Sequence, residues 1–182
     1  MRLHIFGASG SGTTTLAEAL AKKHDLTVID IDDIYWLPTD PAFSSVRAVR
    51  ERTSLLESSL ARAEHWALSG SLCGWGDPVI PLFELAVFMS APTEVRLARL
   101  RARELERFGA EALAPGGAMH TNHGAFMDWA ATYETGGPEM RSRAMHEAWL
   151  STLPCPSLGL DGVEAVETLV EKVQQRWLEI RA

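Results

Sequence analysis

The chain opens with a short apolar run, Arg2-Leu3-His4-Ile5-Phe6, which breaks into GASGSGTTT, Gly7 to Thr15, and resumes as an amphipathic stretch ending at His24. No other feature constrains the fold so strongly. Gly7, Gly10 and Gly12, with Ser9 and Ser11 between them, place a tight turn between a strand and a helix. Glycine is needed where φ is positive and where a Cβ would collide with a bound oxyanion. Consecutive backbone N–H groups and the partial positive charge of the following helix then point at one anion. Gly7, Gly12 and the hydroxyl residue Thr14 fit the phosphate-loop pattern G-x-x-x-x-G-K-[ST], with Thr13 where the lysine belongs. On that pattern Gly7, Ser9, Gly10, Ser11, Gly12, Thr13, Thr14 and Thr15 are expected to cradle nucleotide phosphates, with the Thr14 hydroxyl on Mg²⁺.

Threonine cannot supply the point charge that lysine gives to the β- and γ-phosphates. Two further readings therefore stand beside the nucleotide site. A dinucleotide site would use an acid about 20 residues on, such as Asp30 or Asp32, but the third glycine position is held by Thr15. A structural turn with no ligand is the other.

Strand-like and helix-like segments alternate along the chain. Near-continuous apolar runs at 2–8, 26–32, 65–71, 84–92 and, more weakly, 155–162 suit strands buried on both faces. Amphipathic stretches at 13–24, 44–64, 93–108 and 162–180 lie between and after them. This order predicts a single α/β domain over 1–182, with a parallel sheet between two helical layers. The segment 109–140, rich in Gly and Ala and closed by Gly-Gly-Pro, interrupts the alternation and is expected to cover the binding edge as a lid.

Acids cluster at the end of the second strand, in IDIDDIYWLP. A carboxylate at the carboxyl edge of a parallel sheet can hold Mg²⁺ or orient an attacking hydroxyl. Strand alternation puts Asp30 and Asp32 on one side, and Asp32 and Asp33 are the candidate catalytic acids, Asp32 also a metal ligand. Asp33 reads equally as a helix-capping acid, and Tyr35 and Trp36 as core or as a stacking surface. After Pro92, helical spacing puts Arg96, Arg99, Arg103 and Arg107 on one stripe, beside an apolar face of Leu97, Leu100, Leu105 and Phe108. The planar donor fork of arginine suits phosphate oxygens. Arg99 and Arg103 are the candidate catalytic cations, with Arg107, Arg141 and Arg143 as further nucleotide ligands that replace the charge missing at Thr13. Glu94, Glu104 and Glu106 could instead neutralise parts of the stripe.

Charge limits the partners. With 17 Lys and Arg against 24 Asp and Glu, the net charge is −7, which disfavours nucleic-acid polymers and anionic membranes but not a small anion held by an arginine cluster. Cys73 and Cys155 lack metal-type spacing, His120 and His123 have no strong partner motif, and no apolar run is long enough to span a bilayer, so a cytoplasmic protein is expected. Trp75 and Asp77, just past the third strand, are possible substrate-pocket residues.

Taken in order, the glycine loop, the acids after strand two and RLRAR, Arg99 to Arg103, resemble the adenylate-kinase-like and shikimate-kinase-like branch of P-loop kinases. More narrowly, GASGSGTTTLA, DDIYWLPTDPAF and LSGSLCGWGDPVIPLF are similar to an uncharacterised group of bacterial AAA-type ATPases with threonine in place of the Walker A lysine. The resemblance implies a five-stranded parallel sheet of order 2-3-1-4-5, a lid after strand four, and ATP and Mg²⁺. It implies phosphate contacts from Gly10, Gly12, Thr13 and Thr14, a role for Asp32 near Mg²⁺ or substrate, and lid contacts from Arg99 and Arg103. Residues 156–161 would lie near the adenine. The third strand ends Ser69-Gly70-Ser71, where nucleoside-monophosphate kinases usually carry an acid, which favours a small hydroxyl-bearing acceptor. The expectation is a kinase, monomeric or homodimeric, moving the γ-phosphate of Mg-ATP to a small metabolite or nucleotide. The alternative is a nucleotide-binding regulatory protein with little turnover.

Overall fold

A computed structural model describes residues 1–182. Five strands, β1 Arg2–Gly7, β2 Thr27–Asp30, β3 Trp66–Ser69, β4 Leu85–Ser90 and β5 Ser157–Asp161, form one parallel sheet in the order β2-β3-β1-β4-β5. The sheet order is the one the resemblance implied. The principal helices are α1 Thr13–His24, α2 Ile31–Tyr35, α3 Val49–Ala61, α4 Thr93–Leu113, α5 His120–Ala131, α6 Arg143–Leu150 and α7 Val166–Arg181. None is long and apolar enough to cross a membrane.

Strand alternation divides the core. Leu3, Ile5, Val87 and Met89 face α1 and α7, where they meet Leu16, Leu20, Leu169 and Val173. On the other face Leu68 and Trp66 meet Leu56 and Leu60 of α3, and Phe6 and Phe88 meet Trp149 of α6. Burying each large apolar side chain is worth about 1.5–3 kcal/mol, so the two faces hold the helical layers in place. All five strands end at the same edge, where the loops that carry polar chemistry gather.

Several boundaries differ from the sequence expectation. Strand β2 stops at Asp30 rather than Asp32, because the Asp30 carboxylate accepts the Asp32 N–H at 2.9 Å and caps α2. Local capping overrides the β-branched run, and Asp30 and Asp32 no longer share one side of a strand. Helix α3 begins at Val49, not at residue 44. Residues before it are held in a loop by Arg47, which donates to the carbonyls of Ile34 and Trp36. Helix α4 continues past residue 108 to Leu113, across a break at Gly109 with φ 77°. The short helices α2 and α6 had no distinct signal in the pattern.

The α4 register also differs. Leu105, expected in the core, is 51% exposed, whereas Arg96 is completely buried. Arg96 donates to the carbonyls of Ala91, Ser9 and Ala130 and to the Thr93 hydroxyl, and its guanidinium lies 5.1 Å from the Tyr133 ring centroid. It is therefore a structural strap rather than a member of a phosphate-binding stripe. Two histidines are buried as well. His4 bonds the Gly70 carbonyl at 2.8 Å, and His146 sits between the Tyr133 hydroxyl and Ser71 Oγ at 2.8 and 2.9 Å. Burial lowers their pKa values, to about 4 for His4 and about 3 for His146, with the carbonyl of Gly70 opposing the shift at His4 and Arg141 reinforcing it at His146.

Two outcomes follow from this packing. Arg96→Met should leave three buried carbonyls without a donor and lower stability by about 3 kcal/mol in urea unfolding. Because His4 and His146 are neutral when folded but titrate near 6.5 when unfolded, their contribution is complete above that value and is lost as pH falls below it. Stability measured by urea unfolding should drop by about 2 kcal/mol per histidine between pH 7 and 5, and His146→Gln should flatten the slope.

Candidate active site

The phosphate loop is built from the backbone. The Ser11 N–H closes on the Ala8 carbonyl at 3.1 Å, and Gly12, at φ 99°, turns the chain into α1. No side chain caps α1, so its first-turn N–H groups face the loop interior. Gly10 has φ 82°, and a Cβ there would come within 2.7 Å of the Arg96 carbonyl oxygen. Helix α4 thus packs directly against the loop's outer side. Ser11 Oγ is buried without a partner, a spare polar group inside the turn. Thr13, in the lysine position, is half-buried at the start of α1, and the Thr15 side chain points to solvent.

Thr14 Oγ1 donates to Asp30 Oδ2 at 3.1 Å and lies 3.2 Å from Ser69 Oγ. The carboxylate beside Thr14 is therefore Asp30, not Asp32, a consequence of β2 ending two residues earlier than expected. Three hard oxygen donors gathered at the strand edges make a set that suits Mg²⁺.

Arg99 closes the opposite rim. It donates to the Gly10 carbonyl at 3.4 Å and the Gly162 carbonyl at 3.0 Å, joining the phosphate loop to the turn after β5. Its Nη1 stands 4.0 Å from the Cβ position of Gly12. Gly162 also donates to Ser90 at 2.6 Å. Gly162, in the turn after β5, consequently borders the loop at Ser11.

Asp32 lies on α2 and faces a cleft of about 550 Å³ that opens onto Ser9 of the loop. The cleft is walled by Arg103 and Arg107 of α4, Phe126 and Trp129 of α5, and Arg141. The segment 109–140 supplies the α5 part of this wall, with Leu100 of α4 packed on Met127 and Ala130. Desolvation and the nearby Asp30 raise the Asp32 carboxyl above its ordinary range, and Arg141, Arg103 and Arg107 only partly oppose them. The side chain is nonetheless open to the cleft. Glu104, which is buried, pairs with Arg103 at 3.5 Å and Arg107 at 3.7 Å. The expected pairing of acids with the stripe therefore holds for Glu104, yet both guanidiniums still line the cleft. Arg107 also stacks on Phe43 at 4.6 Å, and Arg141 on Trp129 at 5.5 Å.

Asp33 and Arg143 border neither the phosphate loop nor the cleft. Asp33 is exposed on the far side of α2 and lines no part of it. Arg143 pairs with Glu134 at 2.6 Å and Glu147 at 3.4 Å, tying α6 to the turn after α5. One residue escaped the sequence reading: Arg52 of α3, 7% exposed, with its guanidinium 4.3 Å from Tyr35 and 5.0 Å from Trp75. Only an arginine placed at a core position of α3, beside Leu56 and Leu60, could have drawn attention to it.

Residues 4–112, which carry the loop, the acids and the first arginines of α4, match the family described as AAA domain. An uncharacterised Bacillus subtilis (strain 168) protein, YqaC, is 44% identical over 171 residues, covering 94% of each chain. A cytidylate kinase of Methanocorpusculum labreanum is 28% identical over 120 residues, covering 57% of this chain and 63% of its own. In architecture, shikimate kinase from Acinetobacter baumannii superposes with a TM-score of 0.59 at 15% identity, covering 98% of this chain and 93% of its own. The chain belongs to the AAA-domain family, and it shares its fold with shikimate kinase.

Proposed function

We propose that the chain, acting as one kinase-like domain, transfers the γ-phosphate of Mg-ATP to the hydroxyl of a small metabolite or nucleotide. The observation that carries this reading is the cleft itself. A carboxylate with a raised pKa, Asp32, faces three guanidiniums, Arg103, Arg107 and Arg141, beside Ser9 of the phosphate loop.

In this reading the N–H groups of Gly10 to Thr15 hold the β- and γ-phosphates, and residues 156–161 lie near the base. Thr14 and Asp30 would hold Mg²⁺, which when bound neutralises charge on the phosphate oxygens. The acceptor hydroxyl sits against Asp32. As its oxygen bonds to the γ-phosphorus, its proton passes to the Asp32 carboxylate and the bond from phosphorus to the ADP oxygen breaks. A base with a raised pKa suits that task near neutral pH. Arg103 and Arg107 stabilise the charge spread over the transferring group, and Arg99, fixed against Gly10 and close to Gly12, brings positive charge to the loop rim where Thr13 brings none.

Thr13 itself supports a second reading, a nucleotide-binding regulator with little turnover. The two part experimentally. A kinase should bind Mg-ATP in calorimetry and release ADP only when an acceptor is present. Asp32→Asn should lower kcat by about 10²–10⁴-fold with nucleotide affinity retained, and Arg103→Ala by about 10³-fold. Absence of any Mg-ATP or Mg-GTP binding would sink both readings. A regulator should bind nucleotide, show no acceptor-dependent ADP release, and gain affinity or slow hydrolysis on Thr13→Lys.

A further inference from the structure

The chain between α2 and α3 is a hairpin arm. Trp36 and Val46 pair as an antiparallel bridge, flanked by the Arg47 N–H on the Tyr35 carbonyl and the Leu37 N–H on the Ser45 carbonyl, each at 2.9 Å. Side chains hold the tip: the hydroxyls of Thr39 and Ser44 lie 3.0 and 2.8 Å from the Pro41 carbonyl oxygen. Arg47 fixes the base on the carbonyls of Ile34 and Trp36. Phe43 takes no part in these bonds, yet its backbone lies at φ 60°, in the left-handed region. A bulky side chain is a rare occupant of that region and costs free energy there, whereas glycine fits it freely. Such strain clusters at ligand clamps and active sites. What phenylalanine adds to the tip is its ring, which lines the cleft. The Arg107 guanidinium lies 4.6 Å from the ring centroid, and the Trp36 ring lies 6.0 Å away at an interplanar angle of 85°.

Arg107 needs such a support. It stands on α4 just before the break at Gly109, and its side chain is 39% exposed. Its ion pair with Glu104, at 3.7 Å, is longer than a hydrogen bond, and the Phe108 ring is farther than that of Phe43, at 6.0 Å. A half-exposed arginine held only by a long pair keeps much of its side-chain freedom. The Phe43 ring face restrains the guanidinium plane by cation–π attraction and covers it from water on that side. We infer that Phe43 is a positioning residue: the hairpin carries its ring to α4 and holds Arg107 ready for the transferring phosphoryl group. This rests on the kinase reading and deepens it. Phe43 does not itself touch the reacting atoms. Its left-handed backbone is what aims an aromatic face from this turn at a cation on another helix.

The test reads how far aluminium fluoride, a mimic of the transferring phosphoryl group, tightens the binding of Mg-ADP to the full chain. Calorimetry on the wild type should show a gain in ADP affinity of about tenfold or more when it is added. Phe43→Gly removes the ring and suits a positive φ, so its melting temperature should equal or exceed that of the wild type. Its gain should shrink about fivefold while its affinity for Mg-ADP alone is unchanged. Phe43→Tyr, which keeps the ring face, should retain the gain. Arg107→Gln should lose it, and adding Phe43→Gly to Arg107→Gln should remove nothing further, because both substitutions delete one interaction. An undiminished gain in Phe43→Gly, an equal loss of affinity for Mg-ADP alone, or a full second loss in the double variant would overturn the inference. If Phe43→Gly lowers the melting temperature, Phe43→Asn, which also accepts a positive φ, carries the same comparison. No gain in the wild type, or no binding of Mg-ADP, would instead strike the kinase reading.

Discussion

The site depends on one buried guanidinium. Arg96 holds the carbonyls of Ser9 in the phosphate loop, Ala91 at the end of β4 and Ala130 at the end of α5, each through a hydrogen bond. These three points come from distant parts of the sequence. With no carboxylate to neutralise it, the cation is satisfied by peptide dipoles, which suits arginine's fixed donor fork. The same contact brings the α4 backbone against Gly10, where only glycine fits. Loop, helix and lid are therefore positioned as one unit.

From that anchor the polar chemistry sorts itself by depth. Nearest the sheet, Thr14, Asp30 and Ser69 gather hard oxygens at the strand ends. One layer out, Asp32 meets the arginines of α4 and Arg141. Glu104 keeps Arg103 and Arg107 together in spite of their mutual repulsion, as a buried acid between two exposed cations. Behind the cleft, His146 links Tyr133 to Ser71, so the turn after α5 is hydrogen-bonded to the segment that follows β3.

Much of this was legible in the sequence. The loop, the parallel α/β architecture and the break near residue 109 followed from glycine placement and from strand–helix alternation, which report backbone requirements directly, whereas the sheet order came from the family resemblance. Side-chain roles were less accessible. Asp30 and Asp32 exchanged expectations because a capping hydrogen bond two residues long decided where β2 ended, and strand propensity is blind to such a bond. Arg96 and Arg143 share the spacing of their neighbours but point at carbonyls and carboxylates that come from other elements. Arg52 had no motif at all. Its meaning depends on Tyr35 and Trp75 meeting it across the fold, a tertiary fact that periodicity does not encode.

Thr13 acquires a different sense in this setting. In a phosphate loop with its own lysine, the nucleotide finds its countercharge in the loop that binds it. Here the cations stand on α4 and at Arg141, on one wall of the cleft. On the proposed reading, the charge that meets the nucleotide would also meet the acceptor, so any coupling between the two ligands would be the same measured from either side. A neutral loop would thereby move the control of phosphate binding from the loop itself to the wall opposite it.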